Sequence, residues 1–190
     1  MVILLNEKEY NFSQKMTIFE FARENGVYIP NLCYHEALLP YGACRLCIVE
    51  IEEKGRSRVV PSCLFHIYDG LIIRTDTPKI KQARKIIAEL LSARCPDVPA
   101  IKKIAEQLGV NEVRFEKENE DCILCGLCVR ACREIVGVNA IGFSGRGIKR
   151  KVETPFSTNS PVCIECGTCE LICPTEAIKV KDIAAIIPAD

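Results

Sequence analysis

The sequence predicts an α+β chain in three parts: a small sheet-and-helix module over residues 1–77, a helical linker over 78–120, and a second cysteine-bearing module over 121–190. Three observations carry this reading. Short apolar runs separated by turn residues, with one capped helix among them, fill the first part. Apolar residues at helical spacing fill the second. In the third, DCILCGLCVRAC (Asp121–Cys132) returns forty-one residues later as VCIECGTCELIC (Val162–Cys173), each copy spaced Cys-x2-Cys-x2-Cys-x3-Cys.

In the first part, Val2–Leu5 and Glu9–Phe12 read as strands around the polar turn Asn6-Glu7-Lys8. Thr17 and Glu20 form a Thr-x-x-Glu capping box for a helix whose apolar side is Ile18, Phe19, Phe21 and Ala22. Gly26 stops it, and Pro30 prevents its resumption. Ile48, Val49 and Ile51 begin a strand, Val59 and Val60 its partner across Glu53–Ser57, and Leu71–Arg74 the last strand. A hairpin, a helix laid across it and a long loop are the start of a β-grasp sheet.

That loop carries Cys33, Cys44 and Cys47, with Cys63 following, in the pattern Cys-x10-Cys-x2-Cys-x15-Cys. Four thiolates with one close pair suit a [2Fe–2S] cluster, although the plant-type spacing places four residues before the close pair and here there are ten. Gly42 and Ala43 are small enough to let amides approach sulfur. Zinc is the alternative, since a single Cys-x2-Cys is also a zinc spacing. His35 and His66 lie near Cys33 and Cys63, but four cysteines already complete the site, and surface packing or hydrogen bonding is the expected role of both.

In the linker, Pro78 opens a helix with Ile80, Ala83, Ile86, Ile87, Leu90 and Leu91 on one side. Lys79, Lys81, Arg84, Lys85 and Glu89 make an opposite face expected to be solvated. The helix is expected to pack between the two cysteine modules. A second helix runs from Pro99 to Leu108, with Ile101, Ile104, Ala105 and Leu108 inward and Gly109 as its stop.

The duplicated run in the third part is the bacterial-type signature of a 2[4Fe–4S] ferredoxin domain, in which the fourth cysteine of each motif serves the other cluster. Cys122, Cys125, Cys128 and Cys173 are therefore assigned to one [4Fe–4S] cluster, and Cys163, Cys166, Cys169 and Cys132 to the other. Gly126 and Gly167 occupy equivalent slots where positive φ is expected. Zinc sites more often show two separated Cys-x2-Cys pairs. Pro174 follows the second motif where Arg133 follows the first, so unlike surroundings and unequal potentials are expected. Val138–Phe143 and Val152–Phe156 read as strands around SGRGIKRK, a solvated turn or a docking patch carrying Arg146, Lys149, Arg150 and Lys151. The ending IAAIIPAD either covers the module or enters a partner interface.

Composition narrows the function. The 190 residues carry 25 basic and 25 acidic side chains, which argues against a nucleic-acid partner. No apolar run approaches the roughly 20 residues of a membrane span. The opening MVILLNEKEY lacks a signal-peptide layout, so a cytoplasmic location is expected. Of thirteen cysteines, twelve divide into three sets of four, and Cys95 is left over. No dinucleotide glycine fingerprint and no motif-placed nucleophile and base are present, so no active site of its own is expected.

The stretch NLCYHEALLPYGACRLCIVEIE, through Leu32-Cys33-Tyr34-His35, Gly42-Ala43-Cys44-Arg45-Leu46-Cys47 and Val49-Glu50, resembles the [2Fe–2S] module of the complex I large iron–sulfur subunit. It also resembles the diaphorase small subunit of NAD-linked hydrogenases and the N-terminal part of iron-only hydrogenases. The resemblance covers nearly the whole chain, since those proteins continue with a helical linker and a two-cluster ferredoxin module. They also hold an additional [4Fe–4S] cluster on one histidine and three cysteines after a Leu-Leu-rich helix end. Here Leu90-Leu91-Ser92-Ala93-Arg94-Cys95-Pro96-Asp97-Val98 puts Arg94 at the histidine position, so that cluster is expected to be missing and Cys95 to be a buried free thiol. The resemblance implies an electron-transfer subunit with one [2Fe–2S] and two [4Fe–4S] clusters. It would relay electrons between a flavin- and NAD(P)-binding subunit and a second catalytic subunit, of hydrogenase or formate dehydrogenase type, with electron bifurcation as a further option. The alternative is a free-standing soluble polyferredoxin.

Overall fold

The computed structural model describes residues 1–183, so the apolar ending beyond Ile183 lies outside the described residues. Strands β1 (Val2–Leu5) and β2 (Lys8–Asn11) form a hairpin whose two loop residues, Asn6 and Glu7, take φ of 49° and 68°. Positive φ at both loop positions gives a turn whose twist matches the strands. β3 (Ile48–Glu53) and β4 (Arg56–Pro61) turn in the same way at Lys54 and Gly55. β5 (Ile72–Arg74) enters between the hairpins, parallel to β1 and antiparallel to β3, giving the order β2-β1-β5-β3-β4.

Helix α1 (Ile18–Glu24) starts at the expected box: Thr17 Oγ1 accepts from the Glu20 amide at 3.2 Å, and Glu20 Oε2 accepts from the Thr17 amide at 2.8 Å. Its Ile18, Phe19, Phe21 and Ala22 are buried with Ile3, Leu5, Val49, Ile51 and Ile73 of the sheet. Burying each such large side chain contributes about 1.5–3 kcal/mol. The first module is thus the β-grasp sheet that its sequence predicts.

Helix α2 (Pro78–Arg94) is capped by Thr77, whose Oγ1 accepts from the Ile80 amide at 3.3 Å, and α3 (Pro99–Gln107) follows. Their packing corrects the expected faces. Arg84 and Glu89 are buried, whereas Ile86 and Leu90 are exposed. The buried stripe is Ile80, Arg84, Ala88 and Ser92, one residue per turn. Arg84 faces backbone carbonyls of the first module. Glu89 accepts from the Arg114 amide at 2.8 Å and from its guanidinium at 2.8 and 2.7 Å, bonds that pull its carboxyl down to about 2. Hydrophobic periodicity cannot anticipate polar groups whose partners lie far along the chain.

In the third part, α4 (Leu127–Ala131) runs straight into a π-helical turn, Cys132–Val136. Strands β6 (Gly142–Ser144) and β7 (Lys151–Glu153) pair antiparallel, and α5 (Thr168–Leu171) lies in the second motif. Both strands are shorter than their sequence suggests. Ala140 gives its amide to Cys132 Sγ at 3.2 Å instead of to a strand, and beyond β7, Pro155 and Phe156 at φ 58° turn away. Among the basic turn residues, Arg146 and Lys149 are exposed, while Arg150 folds inward over Phe143, 4.2 Å from the ring centroid.

One buried core joins all three parts. Leu38 and Leu46 of the first module, Ala88, Cys95, Val98 and Ile101 of the linker, and Ile123 and Leu127 of the third part pack together. Replacing Thr17 by Ala removes the α1 cap and should lower unfolding stability by about 1 kcal/mol. Anaerobic denaturant titration followed by circular dichroism reads this as an earlier midpoint.

Candidate iron–sulfur centres

Cys33, Cys44, Cys47 and Cys63 come together in the first module, each at most 6% exposed. Gly42 at φ 68° and Arg45 at φ 59° bend the loop around them, and a Cβ at Gly42 would stand 2.6 Å from Leu64 Cδ1. The Cys44 amide donates to Cys33 Sγ at 3.4 Å, and the Cys47 and Cys63 sulfurs are 3.3 Å apart. Hydrogen bonding within each pair pulls the Cys33 and Cys47 thiols down and, with burial, pushes Cys44 and Cys63 up. His35 and His66 are both exposed.

The loop's carbonyls are held from behind. Arg84 donates through Nε to Leu46 O at 3.0 Å and through Nη2 to Ile48 O at 2.7 Å. Arg130, on α4, donates through Nη2 to Cys33 O at 2.9 Å and through Nη1 to Leu39 O. A third fork, Arg94, gives Nε to Cys122 O at 2.8 Å and Nη1 to Glu118 at 3.0 Å. Sequence reasoning missed these arginines as site residues. For Arg84 the available signal was its place four residues after Ile80 and four before Ala88.

The duplicated motifs fold alike. Leu124 and Glu165 both take φ 54°, and Gly126 and Gly167 both take φ 73°. A Cβ at Gly126 would come within 3.1 Å of Phe143 and 3.4 Å of Tyr41. The Leu124 amide donates to Cys122 Sγ at 3.4 Å. Cys122, Cys125, Cys128 and Cys173 line one cavity of about 220 Å³, and Cys132, Cys163, Cys166 and Cys169 line another. The fourth cysteine of each motif therefore stands with the other motif's first three. Cys128 and Cys132, one helical turn and about 6 Å of rise apart, belong to different cavities.

Surroundings differ between the two. Burial pushes the Cys125 thiol up to about 11 and Cys128 to about 12. Cys166 is exposed, and the Thr168 hydroxyl pulls its thiol down. Cys95 is fully buried, pushed up by that burial to about 11, and packs with Val98 and Ile101.

The donors fit the groups they imply. Each set supplies four thiols, and backbone N–H groups point at sulfur in all three. Among the described residues no three His, Cys, Asp or Glu side chains close on the position of a single metal ion. No helix there is long and apolar enough to cross a membrane.

Comparison with known proteins agrees in kind. Residues 2–78 match the 2Fe-2S iron-sulfur cluster binding domain family, and residues 121–177 match the 4Fe-4S dicluster domain family. An NADH-quinone oxidoreductase subunit of Rhizobium meliloti is 32% identical over 203 residues, covering 93% of this chain and 23% of that protein. NADPH-Fe(3+) oxidoreductase subunit alpha of Geobacter sulfurreducens is 31% identical over 204 residues, covering 94% and 24%. NADP-reducing hydrogenase subunit HndD of Solidesulfovibrio fructosivorans is 26% identical over 210 residues, covering 94% and 36%. The chain thus spans about a quarter to a third of the length of these relatives. The fold is also that of a chain in the crystal structure of an NAD+-reducing [NiFe]-hydrogenase in the H2-reduced state. The TM-score is 0.71 at 23% identity, with 97% of this chain and 99% of that chain covered.

Replacing Cys173 by Ala should lose the cluster served by Cys122, Cys125 and Cys128 and spare the other. Iron analysis with electron paramagnetic resonance on the anaerobic protein distinguishes the two, since loss confined to the Cys163 side contradicts the crossed pairing.

Proposed function

We infer that this chain, a 2Fe-2S domain joined through two helices to a 4Fe-4S dicluster domain, is the electron-transfer part of an NAD(P)-linked oxidoreductase complex. Twelve of its thirteen cysteines would hold one [2Fe–2S] cluster on Cys33, Cys44, Cys47 and Cys63, and two [4Fe–4S] clusters on the crossed sets. When bound, each cluster accepts and releases one electron at a time. The observation that carries the reading is the placement of the three cysteine sets in a row. Cys33 and Cys44 share a core with Cys125, and Cys128 and Cys132 share one helix.

The protein's own residues then have separable roles. Leu38, Leu46, Ile123 and Leu127 pack in one apolar core with Cys33, Cys44 and Cys125 of the first two sets. Backbone amides of Cys44, Leu124 and Ala140 steady thiolate charge. The [2Fe–2S] set is the most enclosed, while exposed Cys166 brings the far set to the surface beside exposed Val162, Ile164 and Leu171. That end is suited to hand electrons to a partner.

By resemblance, the partners are a flavin-bearing subunit that handles the nicotinamide and a second catalytic subunit. The relatives' names favour a hydrogenase, quinone-reductase or Fe(3+)-reductase type for the whole assembly. A formate dehydrogenase type and electron bifurcation stay compatible with the wire. A cytoplasmic site follows if those partners are soluble. The free-standing polyferredoxin is the second reading. Balanced charge and apolar surface residues favour a fixed subunit over it.

Anaerobically purified protein should contain about ten iron atoms. A count near six would remove one four-iron cluster. Size-exclusion chromatography of the native protein should place it in a larger assembly, and a particle of its own mass alone would overturn the subunit reading.

A further inference from the structure

Two guanidinium groups are buried against the same loop without a carboxylate to balance them. Arg84 and Arg130 are each 5% exposed. Among the described residues, neither forms an ion pair. The acids that feel them are already engaged. Asp76, which feels Arg84 at longer range, is held by Lys81 at 2.9 Å. Glu134, which feels Arg130, is held by Arg133 at 2.9 Å and by the Leu39 amide at 2.9 Å. Arginine stays protonated, so both sites carry full positive charge.

An uncompensated buried charge is costly. Carbonyl satisfaction alone does not require that cost, because a neutral amide side chain can also donate. Arg130 Nε, moreover, finds no hydrogen-bond partner among the described residues. Both arginines grip residues beside or within the cysteine set: Arg84 the carbonyls flanking Cys47, and Arg130 the carbonyl of Cys33 itself. They arrive from different elements, α2 and α4, on the outer side of one loop.

We propose that Arg84 and Arg130 are the built-in counter-charges of the [2Fe–2S] centre and hold its reduction potential up. The inference rests on the assignment of Cys33, Cys44, Cys47 and Cys63 as its ligands. One-electron reduction adds one negative charge to the set, the electron coming from the preceding carrier or, in the test, from dithionite. Fixed positive charge in a low-dielectric core stabilises the reduced form more than the oxidised one. Arg84 and Arg130 are thus positioning residues that also act electrostatically, since they orient the loop and bias where the electron rests.

The test is an anaerobic redox titration of the whole chain with its clusters, following the [2Fe–2S] paramagnetic signal. Arg84→Gln and Arg130→Gln keep a donor but remove the charge; Arg84→Lys and Arg130→Lys keep the charge. The midpoint should fall in both Gln variants and stay near that of the unaltered chain in both Lys variants, with iron content unchanged. Equal shifts in Gln and Lys, or no shift in either, overturn the proposal. If a Gln variant loses iron, Arg84→Lys titrated at rising pH reads the charge alone. Its midpoint should drop relative to the unaltered chain as the buried ammonium discharges, and a parallel course overturns the proposal. Absence of any [2Fe–2S] signal from the unaltered chain would instead refute the ligand assignment.

Discussion

A backbone loop that turns its amide N–H groups toward sulfur turns its carbonyls away, and carbonyls buried in a core need donors. Much of this structure answers that constraint. The Cys33–Cys47 loop faces its cysteines inward and leaves Cys33, Leu39 and Leu46, with Ile48 at the start of β3, offering outward carbonyls. Arg84 and Arg130 satisfy them, each spanning two carbonyls with one planar fork. Arg94 performs a similar service for Cys122.

The same forks join the parts. Arg84 belongs to the linker and Arg130 to the third part, yet both end in the first. Around them the shared core admits leucine, isoleucine and cysteine from every segment. Close packing of this kind leaves the cysteine sets little freedom to drift apart, and a fixed separation is what a chain of one-electron carriers requires. Tyr41 adds to it by stacking on Phe143 at 6.4 Å between centroids, with Arg130 over its ring at 5.5 Å.

The duplicated motifs are alike in backbone and unlike in setting. Their matched positive-φ positions build the same cradle twice. One cradle then lies under Tyr41 and Phe143, closed by the first module, and the other reaches the surface at Cys166. Exposure is a direct lever on cluster potential, and duplication followed by one-sided burial leaves the two cysteine sets in unlike surroundings.

Local signals were enough for much of this. The Thr17 capping box, the hairpins, the glycine slots and the crossed grouping of cysteines can all be read from residue type and spacing, because each depends on neighbours within a few positions or on a motif whose geometry is set by thiolate chemistry. Glu89 could not be read this way, and Arg84 only through its spacing from Ile80 and Ala88. By residue type both look solvated, and their partners, Leu46, Ile48 and Arg114, lie 25 to 38 residues away. Nor could the short β6, since Ala140 exchanges a strand partner for Cys132 sulfur. Spacing states which atoms can share a centre; only the packed chain decides which charged groups stand behind it, because burial and long-range hydrogen bonds belong to no single stretch of sequence.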